Sequence, residues 1–307
     1  MAERKRVAVL MGGWSAEREV SLTSGQACVR ALAEAGYDAV AIDVRRDLPA
    51  LLADLEPRPD VVFNALHGPG GEDGMIQGVL EILNLPYTHS GILASALAMH
   101  KPTAKTVMAA AGVRVPPGRT LPLADLAEGH PLEPPYIVKP VDEGSSIGVH
   151  FVWPGDNRPP IDPDWPFGSE VLAEPYIPGR ELTVAVMGDR ALAVTEIRPR
   201  EGFYSYEAKY TDGRADHIVP AELPDAVTEA CLDMALAAHR ALGCTGVSRA
   251  DFRWDDGRPG LEGLFLLEVN TQPGMTPLSL VPEQAAHRGI DFPTLCSWMV
   301  ENASCHA

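Results

Sequence analysis

The first ninety residues alternate between short apolar runs and longer amphipathic stretches. Buried strands are predicted for residues 7–11, 39–44 and 60–66, where apolar side chains are consecutive. Helices are predicted between them, for the stretch that starts at residue 19 and closes at Gly36 and for residues 51–55. Strand–helix alternation of this kind predicts a parallel, doubly wound α/β sheet.

Polar segments follow the first and third predicted strands, where doubly wound sheets bind ligands. They cover residues 12–19 and 66–74. The first is not a dinucleotide-binding turn, because GGWSAE lacks the GxGxxG spacing. Within these segments, Glu17 is equally well explained as an acidic residue at a helix N-terminus, and His67 as an ordinary turn histidine. The density of glycine around His67 favours a close approach of the backbone to a ligand.

The middle of the chain carries a strand that ends in a lysine. Residues 101–111 predict a helix and residues 135–140 a strand ending in Lys139. The small-residue loop that follows, residues 142–149, is either a plain hairpin turn or a phosphate-binding loop, and the neighbouring Lys139 favours phosphate. Residues 174–181 read as a hinge between lobes, and the aromatic-rich connection 200–219 as an ordered lid.

Two later predicted strands each carry two polar side chains that are two residues apart. Arg249 and Asp251 share one face of the run 247–254, and Glu268 and Asn270 share one face of the next apolar run. If the strands are neighbours, Asp251, Glu268 and Asn270 offer hard oxygen ligands that suit Mg²⁺, with Arg249 beside them as a fixed cation. The pattern predicts a site that handles phosphate through a metal ion.

Composition narrows the class of protein. The 307 residues suffice for two or three domains, with 46% hydrophobic and 22% charged residues. No apolar run reaches the length of a membrane span, and the apolar start is too short for a signal peptide. The net charge of −17 argues against nucleic-acid binding, so an anionic substrate needs a local positive cluster. The scattered, odd set of five cysteines indicates thiols in a reducing compartment and has no catalytic signature.

Six segments together resemble the D-alanine–D-alanine ligases of the ATP-grasp superfamily. In chain order they are GGWSAEREVSL, ALHGPGGEDG, VKPVDEGSSIGV, FYSYEAKY, GVSRADF and LLEVNTQPGMTPLSLVP. The resemblance runs from Val7 to the C-terminal helices. It implies a three-domain α/β fold, with an N-terminal Rossmann-like substrate domain (1–95), a central ATP-grasp lobe (96–178) and a C-terminal catalytic domain (179–307) that carries the lid 200–219.

The resemblance also implies an activity and its setting. It implies a cytoplasmic, homodimeric enzyme that joins two D-alanine molecules into D-alanyl-D-alanine for peptidoglycan. ATP phosphorylates the carboxylate of the first D-alanine, and the amine of the second attacks the acyl phosphate. No nucleic-acid or membrane partner is expected.

Site residues are assigned by the same resemblance. Two Mg²⁺ (or Mn²⁺) ions would be held by Asp251, Glu268 and Asn270. ATP would be bound by Lys101, Lys139, Ser145, Ser146, Glu174, Tyr176, Ile177, Glu181 and Lys209, with the hinge residues 174, 176 and 177 at adenine and Glu181 at ribose. The amino acids would meet Glu17, His67, Arg249, Gly274 and Ser279. The catalytic set would be Glu17, Ser145, Tyr210, Arg249, Gly274 and Ser279, in which Ser145, Tyr210 and Glu17 fasten the lid and exclude water. Ser279 is otherwise an ordinary helix N-cap.

Three other functions compete with this assignment. D-alanine–D-lactate ligases share most of the pattern but differ in the lid, where Tyr210 favours the dipeptide. Another ATP-grasp carboxylate–amine ligase is disfavoured by SAEREVSL and PGMTPLSL. A nucleotide-binding regulator without catalysis is disfavoured by the retained metal ligands and lysines. The chain departs from the family pattern at His100, at Gln272 and in the proline-rich segment 153–168.

Overall fold

Three β-sheets organise the part of the chain that this computed structural model describes, residues 4–144, 147–157, 165–200, 215–276 and 279–305. The strands are β1 (Arg6–Gly12), β2 (Asp38–Val44), β3 (Val61–Asn64), β4 (Arg119–Pro122), β5 (Tyr136–Pro140), β6 (His150–Val152), β7 (Glu170–Pro175), β8 (Arg180–Met187), β9 (Arg190–Pro199), β10 (Ala215–Ile218), β11 (Val247–Trp254) and β12 (Leu264–Asn270). The helices are α1 (Arg18–Glu34), α2 (Leu48–Asp54), α3 (Met75–Ile82), α4 (Ile92–Met99), α5 (Lys101–Ala110), α6 (Asp225–Ala241), α7 (Leu280–His287) and α8 (Phe292–Glu301), with a 3₁₀ turn at Leu123–Ala127.

The first sheet is parallel, in the order β2-β1-β3. Helix α1 lies close against it because α1 has a glycine at the contact. A Cβ on Gly25 would stand 2.5 Å from the Cβ of Met11 on β1, which no real side chain tolerates. The sequence-based prediction of a parallel α/β sheet is therefore confirmed.

Two element boundaries in this part of the chain, one of a strand and one of a helix, differ from the predicted limits, and each has a local cause. The third strand ends at Asn64 rather than at residue 66, because the Asn64 side chain accepts a hydrogen bond from the Leu66 N–H at 3.2 Å and starts a turn. Helix α2 starts at Leu48 rather than at residue 51, because Asp47 caps it through the Ala50 N–H at 3.1 Å.

The second and third sheets are antiparallel. The second has the order β4-β7-β5-β6, and the third the order β10-β9-β8-β11-β12. The connection at residues 176–179 passes from β7 in the second sheet to β8 in the third, where the hinge was predicted. The domain limits at residues 95 and 178 stay predictions.

A continuous hydrophobic core joins the first sheet to the third. Met11 on β1, Cys28 on α1 and Phe63 on β3 pack in one buried cluster with Met187 on β8 and Leu295 on α8. Close packing of this kind fixes the relative position of the two sheets, so the segments after β1 and β3 lie beside the third sheet. No helix in the described ranges is long and apolar enough to cross a membrane.

Candidate active site

A cleft opens where strands of the second and third sheets face one another. The space between its walls, open solvent at its mouth included, is about 880 Å³. Its walls include these predicted nucleotide and metal residues: Lys101, Lys139, Glu174, Tyr176, Ile177, Glu181, Asp251 and Glu268. Residues separated by up to 167 positions in the sequence thus line one cavity.

Strands β11 and β12 bring the predicted metal ligands together. Asp251 is directly opposite Glu268, and Arg249 directly opposite Asn270. Arg249 holds Asp251 with two hydrogen bonds, from Nε to Oδ1 at 2.8 Å and from Nη2 to Oδ2 at 2.7 Å. Thr183 on β8 donates a third at 2.7 Å, so the carboxylate is fixed in orientation.

This donor set fits Mg²⁺. Two carboxylates and the Asn270 amide oxygen are hard ligands on adjacent strand positions. No cluster of three or more His, Cys, Asp or Glu side chains suited to a metal occurs in the described residues. Mg²⁺ is usually bound by one or two protein carboxylates and takes its remaining ligands from waters and substrate phosphates, so a site with two carboxylates suits it.

A β-bulge, which the sequence did not predict, changes what the third sheet offers to the cleft. The pairing of β11 with β12 shifts between Asp251 and Phe252, so Phe252 is opposite Leu266 and Leu267 is the extra residue. As a result the consecutive side chains of Leu267 and Glu268 both line the cleft. One is apolar and the other acidic, so β12 provides a hydrophobic contact and a carboxylate next to each other.

Helix α5 delivers two buried lysines to the cleft region. His100, one of the departures from the family pattern, caps this helix by accepting from the Thr103 N–H at 3.4 Å. Lys101, in the first position of α5, donates to the carbonyl of Glu143 and lies 3.9 Å from Glu268 Oε2. Burial lowers the pKa of Lys101.

Lys105, one turn further along α5, was not predicted as a site residue. Its Nζ lies 2.6 Å from Glu174 Oε1, and the Nζ of Lys139 lies 2.7 Å from Glu174 Oε2. Burial would raise the pKa of Glu174, but Lys139 and Lys105 offset it, and the pKa lies below its ordinary value. The signal that could have found Lys105 is its spacing of four from Lys101, which puts both on one helix face.

Two carboxylates meet beside the N-terminus of α1. Glu17 is 5% exposed and precedes the first residue of α1 without making a side-chain cap hydrogen bond. A Cβ on Gly144 would lie 3.2 Å from Glu17 Oε2 and 3.3 Å from Glu72 Oε1, so both carboxylates approach the same point. Glu72 was not predicted, although it stands in the glycine-rich segment after β3. Burial, and next the charge of Glu17, raises the pKa of Glu72 to about 8.

His67 faces the same region and is fixed by contacts at both ring nitrogens. Nδ1 lies 3.1 Å from the Gln272 carbonyl and Nε2 lies 3.4 Å from Ser24 Oγ. Burial lowers the pKa of His67, which favours the neutral imidazole. The Nδ1–H then donates to the carbonyl oxygen, since that oxygen can only accept.

Gly274 and Ser279 lie next to one another after β12. A Cβ on Gly274 would stand 3.1 Å from Ser279 Oγ. Ser279 occupies the N-cap position of α7, but its side chain makes no hydrogen bond that caps the helix. Its hydroxyl instead contacts Thr276, at 3.1 Å from the N–H and 2.8 Å from Oγ1. The N-cap explanation therefore accounts for its position and not for its side chain.

Some predicted site residues lie outside the described ranges. They are Ser145, Ser146, Lys209 and Tyr210. The lid contacts and the phosphate contacts assigned to them stay predictions.

Comparison with known proteins decides the family. The family description "D-ala D-ala ligase C-terminus" matches residues 124–301, and "D-ala D-ala ligase N-terminus" matches residues 48–90. A D-alanine–D-alanine ligase of Cereibacter sphaeroides is 60% identical over 302 residues, which cover 98% of this chain and 96% of that protein. The chain belongs to the D-alanine–D-alanine ligase family. Another member, from Acidiphilium cryptum, is 60% identical over 98% of this chain and 99% of its own length.

Solved structures of the family agree with this fold. The D-alanine–D-alanine ligase of Bacillus anthracis complexed with ATP has a TM-score of 0.78 at 29% identity, over 97% of both chains. The ligase of Coxiella burnetii has a TM-score of 0.77 at 26% identity, over 98% of this chain and 94% of that one. The predicted family, the ATP-grasp fold and the assignment as a ligase are confirmed.

Proposed function

We propose that this chain joins two D-alanine molecules into D-alanyl-D-alanine, with ATP as the co-substrate, for peptidoglycan synthesis. The observation that carries the proposal is the cleft, in which lysines, carboxylates and the hinge line one cavity. The reaction brings two anions together, a carboxylate and the γ-phosphate, so it needs fixed positive charge at the meeting point. Lys101, Lys139 and Arg249 supply such charge within a protein of net charge −17.

Metal ions would be held by Asp251, Glu268 and Asn270, with two Mg²⁺ (or Mn²⁺) ions per site. When bound, the metal neutralises phosphate charge and so favours attack by the substrate carboxylate. The protein contributes orientation. Arg249 and Thr183 fix the Asp251 carboxylate, so the carboxylate does not have to reorient when a metal ion binds.

Arg249 and the residues around it would bind the reacting groups. Arg249 would stabilise the acyl phosphate and the tetrahedral oxyanion, helped by the Gly274 N–H. Glu17 would bind the ammonium of the first D-alanine near His67, and Ser279 the carboxylate of the second. Lys209 would contact phosphate, and Ser145 and Tyr210 would fasten the lid over the site. The buried surroundings of Glu17 and His67 support this assignment, because a dry site protects an acyl phosphate from hydrolysis.

The nucleoside end of the cleft has an aromatic wall. Tyr176 packs edge-on against Trp153 at 5.2 Å between ring centroids and against Phe151 at 5.9 Å. Arg253 lies over the Tyr176 ring at 5.9 Å and 3.4 Å from Glu181 Oε2. Aromatic side chains in the wall suit the adenine ring, and a carboxylate beside them suits the ribose hydroxyls. These features support the assignment of Glu174, Tyr176 and Ile177 to adenine and of Glu181 to ribose.

A homodimer in the cytoplasm is the proposed working state. Helices α3 and α4 expose large apolar side chains, with Met75 at 60%, Ile82 at 87%, Ile92 at 42% and Leu93 at 71%. Gly78 on α3 faces Ile92 on α4, so the two helices are neighbours. Exposed apolar side chains on neighbouring helices are typical of an interface, and they support pairing of two copies through this face.

The test is phosphate release from ATP in the presence of Mg²⁺ and D-alanine, with L-alanine and D-lactate as alternative substrates. We expect release with D-alanine and formation of the dipeptide. Asp251→Asn is expected to lower kcat at least a hundredfold, since it weakens both a metal ligand and the anchor of Arg249. The exposed Asp256 provides the matched control, Asp256→Asn, with unchanged kinetics.

Two outcomes would contradict the proposal. No phosphate release above the blank without amino acid would exclude the ligase activity. Ester formation from D-lactate in excess of dipeptide at neutral pH would favour a D-alanine–D-lactate ligase. Removal of metal by a chelator is expected to abolish phosphate release, and added Mg²⁺ to restore it.

A further inference from the structure

Three buried ionic side chains form a row at the edge of the nucleotide cleft. Glu174 on β7 is 1% exposed and lies between Lys105 on α5 and Lys139 on β5. Each lysine contacts a different carboxylate oxygen, at 2.6 Å for Lys105 and 2.7 Å for Lys139. The described lining of the cleft includes Glu174 and Lys139 but not Lys105. Lys105 therefore acts on the cleft through Glu174.

The contact between Lys105 and Glu174 is a buried salt bridge, with 2.6 Å between Nζ and Oε1. Glu174 raises the pKa of Lys105 more through its charge than through a hydrogen bond. Charge is thus the property that Lys105 contributes at this position.

The charge balance of the row decides what Lys139 can offer to a ligand. With both lysines protonated, one ammonium offsets the Glu174 carboxylate and the row keeps one positive charge for the cleft. Without the ammonium of Lys105, Glu174 offsets Lys139 and the row becomes neutral. Since the groups are buried, solvent screens this difference only weakly.

We propose that Lys105 is a positioning residue for nucleotide binding, whose ammonium offsets Glu174 so that the charge of Lys139 remains available to the phosphates of ATP. The inference rests on the proposed occupation of the cleft by ATP. It assigns to Lys105 a larger effect on phosphate affinity than on the nucleoside, which Glu174 is proposed to contact, and no effect on contacts with D-alanine.

Lys105 also makes phosphate affinity depend on pH. Burial lowers the pKa of Lys105 to about 8, against the opposing effect of Glu174. The other charged groups that act on it are Lys139 on β5, which lowers the pKa further, and Glu268 on β12, which raises it. Lys105 is charged below pH 8 and loses its charge as the pH rises through 8. ATP affinity should therefore be highest below pH 8 and decline above it.

The experiment compares Lys105→Met and Lys105→Arg with the wild type. The dissociation constants of ADP and of adenosine are measured by calorimetry with Mg²⁺ at pH 7 and pH 9, together with KM for ATP and for D-alanine. The matched control is Lys5→Met, which removes a lysine from the exposed pair with Glu301. A charge-balanced variant, Lys105→Met with Glu174→Gln, serves if Lys105→Met alone does not fold.

We expect Lys105→Met to weaken ADP binding roughly tenfold at pH 7, to weaken adenosine binding much less, and to leave KM for D-alanine unchanged. Lys105→Arg, which stays charged at both pH values, should keep the affinity for ADP and lose the decline at pH 9. The charge-balanced variant should restore the ratio of ADP to adenosine affinity. It removes the Glu174 carboxylate together with the Lys105 ammonium, so the charge of Lys139 is no longer offset.

The inference is overturned if Lys105→Met binds ADP as tightly as the Lys5→Met control, or if it loses adenosine and ADP affinity equally. A charge-balanced variant whose ratio of ADP to adenosine affinity is no higher than that of Lys105→Met would also overturn it. The proposed function fails separately. Wild-type protein that binds ADP with the expected pH dependence but releases no phosphate with D-alanine would refute the ligase activity and support the role of Lys105.

Discussion

Replacing Gln272 by methionine is expected to destabilise the protein, although the family pattern often has a small or apolar residue there. Gln272 is 1% exposed and connects the C-terminal strand β12 with β3 of the first sheet. Its Nε2 donates to the backbone carbonyl of Asn64, and its Oε1 accepts from Asn64 Nδ2 at 3.3 Å. The side-chain amide of Gln272 thus bonds both the backbone and the side chain of Asn64, and it joins two segments that are distant in the sequence.

The magnitude follows from what each partner retains. Asn64 Nδ2 keeps a hydrogen bond to the Gly71 carbonyl at 3.0 Å, so the loss of Gln272 Oε1 leaves it satisfied. The Asn64 carbonyl loses the donor that Gln272 provides, and a buried acceptor without its donor costs about 1–3 kcal/mol. Methionine has a similar volume and creates no large cavity. The expected loss is about 1–3 kcal/mol in the free energy of unfolding.

The assay is equilibrium unfolding in urea, followed by circular dichroism and by tryptophan fluorescence. Gln26→Met on the exposed side of α1 is the control, with an expected change within about 0.5 kcal/mol. Gln272→Glu should cost more than Gln272→Met, because it places a carboxylate oxygen against the Asn64 carbonyl. If Gln272→Met unfolds with the same free energy as Gln26→Met, the amide pair contributes nothing and the reasoning is refuted.

Two further predictions concern the acidic pair near α1. Since the pKa of Glu72 is raised to about 8, above its ordinary 4.5, the stability that its protonated form contributes is complete below pH 4.5 and is lost as the pH rises towards 8. Glu72→Gln should match the wild type in urea unfolding at pH 4.5 and exceed its stability by a few kcal/mol at pH 8; equal stability at pH 8 would contradict this. Gly144→Ala should displace the carboxylates of Glu17 and Glu72, raising KM for D-alanine several-fold, with an unfolding free energy within about 0.5 kcal/mol of the wild type. The control is Gly78→Ala, whose Cβ would meet only Ile92 Cδ1 at 3.9 Å, and an unchanged KM in Gly144→Ala would separate this glycine from the amino-acid site.

Sequence periodicity predicted many of the strands because most strands are buried on at least one face, whereas α3, α4, β4 and β10 were not predicted. The run 264–267 reads as a strand, and β12 is found at Leu264–Asn270. The spacing of two between Glu268 and Asn270 also predicted which of its side chains share a face. The pairing of Asp251 with Glu268 across β11 and β12 followed from placing the two runs side by side.

The bulge that places Leu267 on the cleft could not be predicted in the same way. A bulge depends on which backbone groups pair across two strands, and the residue types of β12 alone do not specify that pairing. Leu267 reads as one more apolar residue of a buried run. Only the shift between Asp251 and Phe252 shows that it joins Glu268 in lining the cavity.

Lys105 and Glu72 escaped prediction because burial of a charge depends on distant segments. A lysine on a predicted helix is usually solvated, and nothing near Lys105 in the sequence indicates that Glu174, on a strand of another sheet, covers it. Glu72 is similar, since its neighbour Glu17 follows β1 whereas Glu72 follows β3. The parallel sheet brings both segments to one edge, and that edge is a property of the fold.

The cleft resolves the conflict between an acidic protein and an anionic substrate. The chain carries a net charge of −17, yet Lys101, Lys105 and Lys139 gather around the carboxylates of Glu174 and Glu268. Around these two carboxylates the ammonium groups are in excess, whereas Glu143, Glu181 and Asp251 add acidic groups elsewhere in the lining. Burial lets the local excess dominate, because charges on the surface act through water and salt whereas the lysines act at contact distance. The charge beside Glu174 and Glu268 is therefore determined by which few charged groups the fold buries there, and the total composition of the chain does not reveal it.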